Sequence, residues 1–135
     1  YLILVTTPDE PPFRPRFMDK VIANSCHKYD SEYEVVIVIN KCDLGVPDEV
    51  VERLDNYRRI GYRIFMVSAK TGEGLDELKA CAKGKFCAFA GQSGVGKSSL
   101  LNAFSSQVSR RVGEIYKKYK RKINLCQQTN ILFNI

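Results

Sequence analysis

Apolar residues fall in short blocks separated by polar, proline-bearing and glycine-bearing stretches, and the blocks alternate between two periods. Residues 2–6 (LILVT) are a continuous apolar run that stops before Pro8, Pro11, Pro12 and Pro15, the pattern of a strand entering a proline-rich loop. Phe17, Val21 and Ile22 then share a helical spacing, which predicts a helix over residues 15–29. Residues 35–39 (VVIVI) are apolar at every position, as a parallel strand buried on both faces would be. Pro47 opens a helix in which Val50, Val51, Leu54 and Tyr57 recur at helical spacing as far as Gly61. Residues 62–67 (YRIFMV) predict a third strand, 74–81 a short helix, 85–90 (KFCAFA) a fourth strand, and 97–104 a further helix. Repeated strand–helix–strand units with short links predict an α/β fold, a doubly wound and mostly parallel sheet with helices on both faces. Ligands of such sheets bind beyond the carboxyl ends of the strands, so the residues that follow each strand are the informative ones.

Three of the four strand ends carry a signature. After the fourth, Gly91-Gln92-Ser93-Gly94-Val95-Gly96-Lys97-Ser98 fits G-x-x-x-x-G-K-[ST] between a predicted strand and a predicted helix, the context of a P-loop, with Ser99 continuing into the helix. Its glycines let the backbone turn so that successive N–H groups and the helix dipole surround a phosphate chain. Lys97 would reach the β- and γ-phosphates and the Ser98 hydroxyl would coordinate Mg²⁺. The bland alternative is a chance glycine-rich turn. After the second strand, Asn40-Lys41-Cys42-Asp43 has a reason to select guanine: the Asp43 carboxylate accepts two hydrogen bonds from the N1–H and N2–H₂ edge, which adenine lacks. Lys41 would lie along the base plane. After the third strand comes Ser68-Ala69-Lys70, where the Ala69 N–H could donate to guanine O6. Each of the last two segments alone is equally readable as a turn. Together at the ends of one parallel sheet, the three point to a guanine-nucleotide site, with GTP or GDP and Mg²⁺ as its ligands.

Charge divides the chain. Residues 1–108 hold 14 basic and 14 acidic side chains, so the net charge of +6 lies wholly downstream. Arg110, Arg111, Lys117, Lys118, Lys120, Arg121 and Lys122 face a single acid, Glu114, with Tyr116 and Tyr119 interleaved. This is a basic arm able to neutralise nucleic-acid phosphates, or a solvated loop. The expected organisation is a core over 1–108 and an arm and tail over 109–135. The 135 residues suit one domain and a monomer, and no run approaches the ~18 apolar residues of a membrane span. Five cysteines with no metal-ligand spacing argue for free thiols and a reducing cytoplasm, and no targeting segment is read at Tyr1.

The base-reading loops precede the phosphate loop, the reverse of an ordinary GTPase, so the order is circularly permuted. In this the sequence resembles the circularly permuted GTPases of the RsgA (YjeQ) type, ribosome small-subunit-dependent GTPases. NKCDL, SAKTGEGL and GQSGVGKSSLLNA carry the resemblance, together with the segment from Arg14 to Asp19 and the Val112-Gly113-Glu114-Ile115 that follows the P-loop helix. The resemblance implies an assembly factor that docks on the small ribosomal subunit and its rRNA and hydrolyses GTP there. The family's oligonucleotide-binding barrel and zinc-binding domain are absent from these residues, so zinc is expected for the full-length family and not for this segment.

Departures from the family pattern bear on turnover. Where the family shows a G-[RK]-H-T-T-T switch, the chain reads on from Lys122 with only Thr129 able to stand in, and its one histidine, His27, lies elsewhere. No aspartate follows Ser98 and no D-x-x-G occurs, so the Walker-B carboxylate has no carrier here and no catalytic residue is assigned. The expectation is a nucleotide-binding domain whose parent hydrolyses GTP. The alternatives are a binding module without turnover and a P-loop ATPase or kinase. The four strands are expected to be contiguous with the P-loop strand outermost, leaving an apolar edge prone to aggregation unless residues 130–135 (NILFNI) form an outer strand.

Overall fold

The structure, a computed structural model, describes residues 1–26, 34–104 and 131–134, the last four by their backbone. In chain order it contains β1 (Leu2–Thr6), α1 (Pro15–Cys26), β2 (Val35–Ile39), a single 3-10 turn (Cys42–Leu44), α2 (Asp48–Arg59), β3 (Arg63–Met66), α3 (Leu75–Ala82), β4 (Phe86–Ala90), α4 (Lys97–Phe104) and β5 (Ile131–Asn134). The sheet order is β3-β2-β1-β4-β5, with β1 to β4 mutually parallel and Leu2 level with both Val35 and Ala88.

Period-two alternation within the buried strands sorts the core into two layers. Leu2, Leu4, Val35, Ile37 and Ile39 face one side and pack with Met18, Val21 and Ile22 of α1 and Val50, Leu54 and Tyr57 of α2. Ile3, Val5, Val36 and Val38 face the other, against Leu75, Leu78 and Ala82 of α3 and Leu100 and Phe104 of α4. The Phe104 ring meets Phe89 of β4 edge-on, with centroids 6.0 Å apart. Burial on both faces explains why β1 and β2 read as unbroken apolar runs rather than as alternating ones.

Helix ends follow local chemistry. Pro47 stands immediately before α2, Asp48 and Glu49 occupy its first turn, and Arg58 and Arg59 its last, each sign favourable to the helix dipole. Asp19 of α1 links the two helices on this face, accepting hydrogen bonds from Arg53 Nη2 at 3.1 Å and from the Tyr57 hydroxyl. Among the described residues α1 ends at Cys26, and His27 lies outside them.

The edge of the sheet differs from expectation. β5 pairs antiparallel with β4, Ile131 opposite Phe89 and Asn134 opposite Phe86, so the P-loop strand is not outermost. The hydrogen-bonding edge of β4 is therefore occupied, and β5 takes its place as the outer edge of the sheet. No helix among the described residues is long and apolar enough to cross a membrane.

The connection from β3 through α3 returns the chain past β2 and β1 to β4. Strand order thus reverses between β1 and β4. A crevice opens at such a switch point beyond the carboxyl ends of the two strands, and here it is flanked by the loops that follow Thr6 and Ala90.

Candidate functional site

The loop after β4 is shaped from beneath and from within. The Val95 side chain is buried in the same apolar layer as Leu100, which anchors the middle of the loop, while Ser93 and Gly94 are exposed. Leu100 N–H donates to Gly96 O at 2.9 Å and starts α4, leaving Ser98 and Ser99 exposed in its first turn. Lys97 folds back over the loop, its Nζ donating to Gly91 O at 2.7 Å and Gln92 O at 2.6 Å. Burial holds the Lys97 ammonium below the ordinary lysine range, because desolvation disfavours the charged form.

Asn40, 2% exposed, joins the three loops. Its Nδ2 donates to Val95 O at 2.9 Å and its Oδ1 accepts from Ala69 N at 3.0 Å, while its own N–H donates to Thr6 O at 2.9 Å. An acceptor on one side and a donor on the other fix the orientation of the amide. Gly96 is what admits it: at φ +88°, a Cβ at this position would collide with Asn40 Nδ2. Cys42 N–H donates to Val67 O at 3.1 Å, tying the start of the 3-10 turn to the end of β3.

The serine of the third loop is structural. Ser68 is fully buried, and its Oγ accepts from Thr71 N at 3.1 Å while its carbonyl accepts from Gly72 N at 2.9 Å. Lys70 is exposed, as is Asp43 in the 3-10 turn. Lys41 is the one non-glycine among the described residues with a positive φ, +66°, and its Nζ donates to Glu10 O at 2.7 Å in the loop after β1.

Asn40, Lys41, Asp43, Ser68, Ala69, Lys70 and residues 91–99 thus lie in three loops and the first turn of α4, at the carboxyl ends of the strands. Two details depart from the sequence reading. The Ala69 N–H reserved for guanine O6 is taken by Asn40, and the Lys41 ammonium is held by the loop after β1. That loop, with Thr7, Glu10 and Pro11, was not singled out by any motif; only its place after a strand beside the P-loop strand marks it. Arg110, Arg111, Lys117, Lys118, Lys120, Arg121 and Lys122, with Thr129, lie outside the described residues.

A family model described as RsgA GTPase matches residues 1–130. A small ribosomal subunit biogenesis GTPase RsgA from Moorella thermoacetica is 40% identical over 131 residues, covering 97% of this chain and 44% of that protein. The protein of the same name from Shewanella oneidensis is 40% identical over 116 residues, covering 84% of this chain and 32% of that one. The crystal structure of YjeQ from Thermotoga maritima superposes with a TM-score of 0.62 at 40% identity, over 78% of this chain and 38% of that one. YloQ, described as a circularly permuted GTPase, gives 0.61 at 32% identity, over 82% of this chain and 38% of its own. The chain spans less than half the length of each of these relatives. With the family match running through nearly the whole sequence, the chain belongs to the RsgA GTPase family.

Proposed function

We propose that the chain is the guanine-nucleotide-binding domain of a ribosome small-subunit assembly GTPase, whose parent hydrolyses GTP to GDP and phosphate. The observation that carries this reading is the Asn40 amide, which joins the loop holding Asp43, the Ser68–Lys70 loop and the P-loop into one edge. Accidental turns at three strand ends would have no reason to share a buried side chain whose amide oxygen and nitrogen are each paired across loops. The names of the relatives supply the ribosomal context.

In this reading the N–H groups of residues 91–98 surround the phosphates. Lys97, whose ammonium donates to the Gly91 and Gln92 carbonyls at the head of this loop, would direct its charge to the β- and γ-phosphates. Asp43 accepts from the guanine edge, Lys41 lies along the base, and Asn40 positions Ala69 and Val95 rather than touching the base. The next amide of the Ser68–Lys70 loop, the Lys70 N–H, is left to meet O6. For Mg²⁺ the donor set fits a phosphate-held ion: the exposed Ser98 hydroxyl supplies one ligand, and the described residues hold no group of three ligating side chains. Such an ion neutralises charge on the phosphates when bound. The basic residues from Arg110 to Lys122 would contact rRNA phosphates on the small subunit, and the domain would act as a cytoplasmic monomer. For these 135 residues by themselves, the lack of any aspartate after Ser98 favours nucleotide binding without turnover.

Displacement of a fluorescent GDP analogue tests the reading. GDP and GTP should compete and ATP should not. Asp43→Ala should weaken GDP by roughly 10- to 100-fold, the worth of hydrogen bonds to a charged group. Equal competition by ATP, or an unchanged Asp43→Ala variant, contradicts it.

A further inference from the structure

Two loops flank the crevice at the strand-order reversal, and the second of them, after β1, has no assigned part in the site. Thr7 begins it. The residue is fully buried, and its Oγ1 donates to Pro11 O at 2.6 Å, closing residues 7–11 into a compact turn. That turn lies beside two of the three loops of the site. On one side it presents Glu10 O to Lys41 Nζ at 2.7 Å. On the other, the Pro11 ring lies 3.8 Å from the point where a Gly94 side chain would begin. Lys41 itself sits at φ +66°, a left-handed conformation that strains a non-glycine residue and persists where surrounding contacts hold it.

We propose that Thr7 is a positioning residue of the nucleotide site, fixing Lys41 through the Thr7–Pro11 turn so that the lysine stem is set in place along the guanine base. The chain of contacts is short: the hydroxyl holds the turn, the turn aims the Glu10 carbonyl, and the carbonyl holds the ammonium at the far end of the Lys41 stem. A lysine stem left free must be ordered when the base arrives, and part of the binding energy is lost to that ordering. Fixed beforehand, the stem offers its apolar flank to the base at little cost. The argument applies to the base end of the ligand and to Lys41, and it rests on the guanine-nucleotide reading above.

The test is a double-mutant cycle on the full 135-residue chain, with GDP affinity read by displacement of a fluorescent GDP analogue at protein concentrations high enough to follow weak binding. Thr7→Val preserves shape and removes the hydroxyl; it should weaken GDP by roughly tenfold, and Thr7→Ser should restore it. In a Lys41→Met background the same Thr7→Val change should have no further effect, because the group through which it acts is gone. A loss that only reflected a damaged fold would add in both backgrounds, so an additive cycle overturns the proposal. So does a Thr7→Val variant that binds GDP as the parent does. If Lys41→Met binds no GDP at all, the Val and Ser variants decide alone: weakening by Val with recovery by Ser supports the proposal, and any other pattern overturns it. A parent chain that binds no GDP overturns both this proposal and the nucleotide reading, whereas binding that is indifferent to Thr7 overturns this proposal only.

Discussion

Gly96 lacks a side chain in the one place where Asn40 needs the room, and the two residues define how the site is assembled. The left-handed φ of +88° and the collision that a Cβ would make with Asn40 Nδ2 act together against any larger residue. Gly96→Ala should therefore destabilise the fold by about 1–3 kcal/mol in urea unfolding, through backbone strain and displacement of a paired buried amide. An unchanged midpoint would show that Asn40 can move aside freely. At this scale the glycine-rich turn between β4 and α4 was legible, because the G-x-x-x-x-G-K-[ST] spacing marks a strand-to-helix loop. The pairing of Asn40 with Val95 and Ala69 was not, since it depends on how far apart three loops end up. The Glu10 carbonyl that holds Lys41 is a backbone atom, and a sequence carries no mark of where a carbonyl will point.

Elements were largely legible for a physical reason: strands buried on both faces are continuous apolar runs, and amphipathic helices repeat every three to four residues. Leu2–Thr6 and Val35–Ile39 appear with the boundaries their composition predicts. β5 was harder, since residues 130–135 are too short to signal more than a possible strand, and the antiparallel pairing of Ile131–Asn134 with β4 is a property of the sheet. The contact between α1 and α2 was also hidden, because Asp19 and Tyr57 are far apart in sequence. Burial first, and then its bond to the Asp19 carboxylate, pushes the Tyr57 phenol up to about 12. Unfolded tyrosine loses its proton near pH ~10, so between about 10 and 12 the unfolded chain binds fewer protons than the folded one. The stability contributed by this group is complete below that window and is lost as pH rises through it. Tyr57→Phe should flatten the fall in stability over this range; an unaltered pH profile would remove Tyr57 as its source.

At the scale of the whole molecule, topology does what no single motif can. Each signature lies at a strand end, and the parallel sheet brings all the ends to one edge. The return of the chain from β3 to β4 places the phosphate loop beside β1, which makes a permuted order of motifs compatible with one site: spatial order, not chain order, determines what a ligand meets. The same topology explains why the loop after β1 escaped the sequence reading. Its neighbours in space come from residues 41 and 94, and nothing local marks it. Thermal unfolding of the chain with Mg²⁺ and a large excess of GDP, GTP or ADP tests the central claim most directly, because a ligand that binds only the folded state at about 100 times its Kd adds roughly 2.7 kcal/mol. The account predicts stabilisation by GDP and GTP and none by ADP. Stabilisation by all three alike, or by none, would contradict it.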